Sequence, residues 1–291
     1  MFAIRRTWTT LLALAFGTIA AFGAETALAP FTYTDINTAV PGHPDLHYSD
    51  LLRQLIPDLV LNETIATGTA PTQPIQHAMG KPFVAHFGTT VTFASFQTRT
   101  IQSEGLSRLL ILTAVGHRTT PNDPMLLLAF STDATPKLLD VIDVSMGDVV
   151  GIGHPFRIGA DDEAILTTSD YARDGKTQSA DALIFMHNGK FDGIGGLFRF
   201  SAVLCGFERK QTLDVATQRP QTAGPFDDIK VTINDIGSIV DNGCDQAWGE
   251  APYSDRYSAL YHWNAALGYF EGDTSQIDQL KDLNSTRNST P

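Results

Sequence analysis

From residue 83 onward the chain alternates between short apolar runs and turn-forming residues, and this texture constrains the fold more than any other feature. Several runs are rich in β-branched or aromatic residues and alternate apolar with polar side chains, as in residues 229–233. Such runs predict β-strands. They lie at residues 83–87, 91–96, 107–115, 125–131, 137–144, 164–169, 182–187, 191–194, 197–205, 213–217 and 229–233.

The breaks between these runs predict hairpins. The clearest is Asn188-Gly189, because Asn followed by Gly supplies the positive φ angles of a type I′ turn. Strands this close together cannot be joined by crossover helices, so the sheet is expected to be largely antiparallel. No regular repeat supports a propeller. The predicted fold is therefore mainly β (α+β), an antiparallel sandwich or curved sheet.

A helical segment is expected to precede this β-rich domain. Residues 48–56 carry Leu and Ile on one helical face, and Pro57 ends the run. Residues 64–82 are rich in Thr, Ala, Pro and Gly and read as a linker. We therefore assign residues 24–82 to an N-terminal helical segment and linker, and residues 83–283 to the β-rich domain with its C-terminal helices.

The C-terminal region also has helical spacing. Tyr253, Tyr257 and Tyr261 recur every fourth residue, which predicts an aromatic helix packed against the sheet. A second, shorter helix is predicted over residues 274–283. The polar residues 284–291 are predicted to form a disordered tail.

The N-terminus has the three parts of a secretory signal peptide. Arg5 and Arg6 precede an apolar stretch at residues 11–22, and small residues follow at the exit. The stretch is shorter than the roughly 20 residues of a membrane span. Cleavage after Gly23 is expected, giving a signal peptide at residues 1–23. The sequence leaves open Sec or twin-arginine export, and a periplasmic or secreted destination.

Composition limits the partners. The chain has a net charge of −12 and is 43% hydrophobic, which is enough for a substantial core. Such acidity argues against binding nucleic acid, whose phosphates require a basic face, and against adsorption to anionic membranes. No membrane span is expected after signal cleavage.

The two cysteines, Cys205 and Cys244, are expected to form a disulfide, because an isolated pair in an oxidising compartment usually does so. A metal pair or a reactive thiol are the alternatives. Neither cysteine lies in a C-x-x-C motif, which favours the disulfide.

Candidate metal chemistry is weak in this sequence. His43 and His47 are the only histidines at a ligand-like spacing, and Pro44 breaks the helix that would align them, so no metal site is assigned. Acidic loops could offer oxygen ligands to Ca²⁺. The best of them holds Asp241, Asn242 and Asp245, where weak binding is possible; the others are Asp161-Asp162-Glu163 and Asp227-Asp228. A solvated loop is the alternative for each.

No catalytic residue can be assigned from the sequence. The chain has no G-x-S-x-G elbow, H-E-x-x-H, G-x-G-x-x-G or P-loop, and no cofactor is predicted. The Gly-rich residues 193–196 are read as a strand bend or a tight turn in a β region. Trp248 and Trp263 are candidate exposed aromatic contacts for a sugar or a partner protein, with core packing as the alternative.

These observations predict a non-enzymatic, exported binding or interaction module of the cell envelope, with an envelope protein or a glycan as partner. Two alternatives stay open. One is an envelope hydrolase whose acid and base residues lie in loops; the other is a structural component of an envelope assembly.

Overall fold

The computed structural model describes residues 35–62, 65–69, 71–78, 91–93, 96–115, 124–146, 149–220, 224–243 and 251–289. Within these ranges the protein is mainly β, with antiparallel sheets and a C-terminal helix, which confirms the predicted fold class. The predicted signal peptide, the predicted strand at residues 83–87, and Cys244, Asp245 and Trp248 lie outside the described residues.

The N-terminal part contains one short helix and two small sheets. Helix α1 is Tyr48–Leu52, shorter than the predicted 48–56, and its start is held by Asp50, whose carboxylate accepts the His47 N–H at 2.9 Å. The short strands here are Ala39–Val40 (β1), His43–His47 (β2), Val60–Asn62 (β3), Ile65–Gly68 (β4) and Val91–Phe93 (β6). β1 pairs with β2, and β3, β4 and β6 form a three-stranded sheet.

A five-stranded sheet forms the middle of the molecule. Its order is β5-β10-β9-β8-β7, and all pairs are antiparallel except β5 with β10. The strands are Gln76–His77 (β5), Phe96–Ser103 (β7), Leu106–Ala114 (β8), Met125–Ser131 (β9) and Leu138–Asp143 (β10). On one face, its apolar residues pack against α1 and the small sheet.

A nine-stranded antiparallel sheet makes up the rest. Its order is β11-β13-β14-β15-β16-β17-β18-β19, with β12 beside β13. The strands are Val149–Ile152 (β11), Phe156–Arg157 (β12), Glu163–Arg173 (β13), Lys176–His187 (β14), Lys190–Leu204 (β15), Phe207–Gln218 (β16), Asp228–Ile239 (β17), Tyr253–Asn264 (β18) and Tyr269–Asp273 (β19).

This large sheet folds over on itself at the hairpin between β15 and β16. The two strands pair only from Ala202 to Leu204, next to the turn, although β16 pairs with β17 along its whole length. The ribbons β13–β15 and β16–β19 therefore diverge, and an apolar core lies between them. The opposite face of β13–β15 packs against the five-stranded sheet. The result is a layered β sandwich.

The predicted hairpin turn is confirmed. Asn188 and Gly189 have φ angles of 52° and 70°, as a type I′ turn requires. β15 also contains a bulge, since Leu183 faces Gly195 and Ile184 faces Gly193, leaving Ile194 as the extra residue. The strand bend that was read from the Gly-rich segment is this bulge.

The predicted aromatic helix is wrong: residues 253–264 form strand β18. A spacing of four residues fits one helix face, but it also fits one strand face, where every second residue points the same way. Ala259 and Trp263 lie on that same face, so the true period is two. Pairing with β17 along most of the segment decided between the two structures.

The second C-terminal helix is present and longer than predicted. Helix α2 is Ser275–Ser289, so most of the predicted disordered tail is helical. Ile277 and Leu280 are buried in the core between the two ribbons. α2 contacts both β15 and β18, and so bridges the diverging halves of the nine-stranded sheet.

Candidate functional site: a cavity beside the C-terminal helix

A cavity of about 360 Å³ lies where α2 meets β15, β18 and β19. This volume is at the lower end of the range for small-ligand sites. Its apolar lining comes from Ile194, Phe198, Phe270 and Ile277, and its polar lining from Tyr261, Thr274, Asp278 and Lys281; Gly195, Gly196 and Gly272 complete the wall.

Tyr261 is the central polar group of this cavity. The residue is 3% exposed, and its hydroxyl has no hydrogen-bond partner among the described residues. Burial raises the pKa of Tyr261, and the nearby Asp278 carboxylate raises it further, so the phenol is neutral at physiological pH. A buried hydroxyl without a partner costs about 1–3 kcal/mol. A ligand that hydrogen-bonds to it would recover that energy.

Two glycines leave room for the Tyr261 ring. A Cβ added to Gly195 would lie 2.5 Å from the Tyr261 Oη atom, and one added to Gly272 would lie 2.5 Å from its Cδ1 atom. Both contacts are so short that a side chain at either position would force the Tyr261 ring to shift. Gly195 faces Tyr261 because the bulge at Ile194 resets the alternation of β15, and bulges often redirect side chains beside functional sites.

The mouth of the cavity carries both charges. The Thr274 hydroxyl donates to the Asp278 carboxylate at 2.8 Å, across the first turn of α2. Lys281 places its ammonium 5.2 Å from the centre of the Phe198 ring, which is 37% exposed. The depth of the cavity is apolar apart from one hydroxyl, and its rim is charged.

The far end of α2 is held by buried polar contacts. Asn284 and Gln211 exchange side-chain hydrogen bonds at 2.8 and 2.9 Å. Arg287 donates to Asp235 at 2.6 Å. These contacts keep α2 in place as one wall of the cavity.

Trp263 is partly buried and packs against the apolar cluster between the two ribbons. Its ring packs against Phe226 at 4.7 Å and Phe270 at 5.5 Å, and His187 lies 5.2 Å away. A role for Trp263 as an exposed aromatic contact stays a prediction.

Three carboxylates of the predicted acidic loops contact other groups of the protein. Asp162 accepts the Glu104 N–H at 2.7 Å, Glu163 accepts the Gln102 N–H at 2.8 Å, and Asp228 lies 3.4 Å from His262. Across the described ranges, no group of three His, Cys, Asp or Glu side chains could hold a metal ion. His43 and His47 fall at the two ends of strand β2.

Cys205 lies in the turn between β15 and β16 and has no disulfide partner among the described residues. Asn242 bridges the two neighbours of Cys205, since it accepts the Gly206 N–H at 2.9 Å and donates to the Leu204 carbonyl at 2.6 Å. Asn242, which precedes Cys244 by two positions in the sequence, therefore lies beside the turn that contains Cys205. The Cys205–Cys244 disulfide stays a prediction, as does the Ca²⁺ loop of Asp241, Asn242 and Asp245.

No protein-family model matches the chain, and comparisons with curated proteins and with solved structures find no significant match. Within the part of the chain that the structure describes, no helix is long and apolar enough to cross a membrane.

Sequence reasoning missed the cavity residues. Tyr261 was assigned to a helix, and the glycines to a bend without a ligand. The one available signal was the closely spaced glycine run at residues 193–196, because glycine inside a strand marks a bulge or a close approach. The side chain that approaches this glycine run is Tyr261, which lies too far away in the sequence for a local pattern to show the contact.

Proposed function

We propose that this protein is an exported, non-enzymatic binding module of the cell envelope, and that its ligand occupies the cavity beside α2. The proposal of export comes from the N-terminal sequence, whose basic residues, short apolar stretch and small residues are typical of a signal peptide. The proposal of binding comes from the cavity.

The observation that carries the proposal is the unpartnered Tyr261 hydroxyl in the wall of the cavity. Native proteins satisfy most buried polar groups, so an exception calls for an explanation. Tyr261 lines the cavity together with apolar side chains, and a Cβ added at Gly195 or Gly272 would force its ring to shift. This arrangement suits a ligand with an apolar body and one hydrogen-bonding group at its inner end.

The test separates the hydroxyl's effect on stability from its effect on binding. Tyr261→Phe removes an unsatisfied polar atom, so the unliganded protein should be unchanged or about 1 kcal/mol more stable. Tyr171→Phe is the matched control, because Tyr171 is exposed near the C-terminal end of β13 and does not line the cavity. Urea unfolding measures both. A loss of more than about 1 kcal/mol in Tyr261→Phe would mean that the hydroxyl has a partner, and the argument would fail.

Binding is then measured with defined compounds of cavity size: amino acids, dipeptides, monosaccharides and aromatic carboxylates. A compound at 100 times its Kd should stabilise the protein by about 2.7 kcal/mol, which a thermal-shift assay detects. Tyr261→Phe should weaken that compound about tenfold, by one lost hydrogen bond. Gly195→Ala should also weaken it, since the new methyl group collides with the Tyr261 hydroxyl. Equal affinity for the wild type and both variants would place the ligand elsewhere.

A further inference from the structure

We infer that Asn188 is a site of spontaneous deamidation, a reaction in which its side-chain amide is lost as ammonia and aspartate or isoaspartate is left in the β14–β15 turn. The chain has two Asn-Gly pairs, Asn188-Gly189 and Asn242-Gly243. In sequence the two pairs are equivalent, because glycine has no side chain to obstruct the reaction in either. The structure holds them differently, and this difference assigns the reaction to Asn188.

Deamidation needs a free main-chain nitrogen and a mobile side-chain amide. The Gly189 nitrogen attacks the Asn188 Cγ atom, and ammonia leaves with the proton of that nitrogen, so that a succinimide ring closes. Water then opens the ring at one of its two carbonyl groups. One opening gives aspartate, and the other gives isoaspartate, in which the main chain runs through the former side chain and is longer by one methylene group.

The β14–β15 turn meets both requirements. Asn188 is exposed, and its main-chain N–H donates to Glu104 at 2.9 Å, whereas its side-chain amide makes no hydrogen bond within the described ranges. The strand ladder closes with the pair His187 and Lys190, so it does not use the Gly189 N–H. A Cβ added to Gly189 would meet no atom within 4 Å, so the space around this nitrogen is open.

The folded turn slows the reaction without preventing it. Ring closure requires the main chain at Asn188 to rotate out of the type I′ turn, in which its φ angle is 52°. Such a rotation is a local opening of an exposed turn, which costs far less than unfolding the sheet. We therefore expect Asn188 to react in the native protein, at a lower rate than in the unfolded chain.

The second pair is held in place by hydrogen bonds. The Asn242 Oδ1 atom accepts the Gly206 N–H at 2.9 Å, and its Nδ2 atom donates to the Leu204 carbonyl at 2.6 Å. The Gly243 N–H, which would be the attacking group, donates to the Asp241 carboxylate at 3.4 Å. Breaking one hydrogen bond lowers the reactive population about fivefold, so the two bonds of the Asn242 amide should slow its reaction at least about tenfold.

The location of the turn gives the modification a structural effect. The Glu104 carboxylate that accepts the Asn188 N–H belongs to the turn between β7 and β8. Beside it, the Ser103 hydroxyl donates to the Met186 carbonyl at 3.2 Å. The five-stranded and nine-stranded sheets are therefore joined by hydrogen bonds at this point. Aspartate at residue 188 would add a negative charge to the residue that Glu104 contacts, and isoaspartate would displace the N–H that Glu104 accepts.

The test is peptide mapping by mass spectrometry after incubation of the native protein at mildly alkaline pH. We expect the peptide that contains Asn188 to gain the mass of an amide converted to an acid, at a rate at least about tenfold above that of Asn242. In urea with reductant the two rates should converge, because the fold then holds neither residue. Asn188→Gln is the control variant: its longer side chain closes a larger ring far more slowly, so this peptide should stay unmodified while Asn242 behaves as in the wild type.

The variant Asn188→Asp isolates the effect of the added charge. It should lower the urea midpoint at low salt and have a smaller effect at high salt, because salt screens exposed charges. Wild-type protein that has deamidated contains isoaspartate as well, so its midpoint should fall further than that of the variant.

Two results would overturn the assignment. One is a native rate at Asn242 equal to or above the rate at Asn188, since the hydrogen bonds of Asn242 would then offer no protection. The other is an unmodified Asn188 after a period in which the unfolded chain reacts fully, since the turn would then be closed to attack. A faster native reaction at Asn188, with equal rates in urea, would support it.

Discussion

Arg287 and Asp235 form the ion pair that holds the end of α2 against the sheet. The Arg287 Nη1 and Asp235 Oδ2 atoms are 2.6 Å apart; the Asp235 side chain is 0% exposed and that of Arg287 is 18% exposed. The Tyr253 hydroxyl donates to Asp235 at 3.2 Å, and the Arg287 guanidinium lies 5.5 Å from the Tyr253 ring centre. Arg287→Ala would leave a buried carboxylate with one hydroxyl as its described partner.

The expected loss follows from that geometry. Breaking a buried ion pair by removing one partner costs about 3–5 kcal/mol. The partial exposure of Arg287 and the remaining Tyr253 hydrogen bond favour the lower end, so we expect Arg287→Ala to lose about 3 kcal/mol. In a protein of this size that corresponds to a fall of roughly 6–12 °C in Tm.

Urea unfolding followed by circular dichroism measures this loss. Arg256→Ala is the control, because among the described residues Arg256 makes one exposed hydrogen bond, to Asn234 at 3.2 Å, and the loss in this variant should stay within about 0.5 kcal/mol. The double variant Asp235→Ala/Arg287→Ala should lose less than the sum of the single variants, since no buried charge is then stranded. Arg287→Ala within about 0.5 kcal/mol of the wild type would refute the reasoning.

Three further predictions concern other parts of the fold. Burial raises the pKa of Asp192, so the folded protein loses stability as the pH rises from the ordinary carboxyl range through that raised pKa. In urea unfolding, Asp192→Asn should therefore raise the free energy of unfolding at neutral pH and leave it unchanged at about pH 3, where the carboxyl is protonated in both states. Gly189→Ala should cost about 1–2 kcal/mol of unfolding free energy, because residue 189 has a φ of 70°, whereas Lys190→Ala should cost little. Cys205→Ser should lower the free energy of unfolding by up to about 4 kcal/mol under oxidising conditions and have no effect in reductant. Equal urea midpoints for the wild type and the variant under oxidising conditions would contradict the disulfide.

Local sequence pattern was sufficient for most of the β structure. The run at residues 125–131 coincides with β9, and the runs at 107–115 and 137–144 match β8 and β10 to within a residue at each end. Asn188-Gly189 identified the β14–β15 turn. These features were predictable because alternation, β-branching and positive φ angles are properties of a few neighbouring residues.

The pattern failed where one spacing suits two structures. Tyr253, Tyr257 and Tyr261 satisfy a helix face and a strand face equally well, and only pairing with β17 made the segment a strand. Helix α2 ends later than predicted because Asn284 and Arg287, polar residues that read as a solvated tail, have buried partners in β16 and β17. Those partners lie far away in sequence.

The sequence by itself determined that the chain is acidic and that it folds mainly into antiparallel β structure, and its N-terminal pattern predicts an export signal. Only the tertiary structure decided that the long sheet folds over at the β15–β16 turn, that α2 fills the gap this leaves, and that Tyr261 packs against Gly195 and Gly272 in the wall of a cavity. The physical reason is the separation in sequence of the residues that interact. Strands and turns follow from interactions between neighbouring residues, whereas a cavity exists only where distant segments meet without filling the space between them.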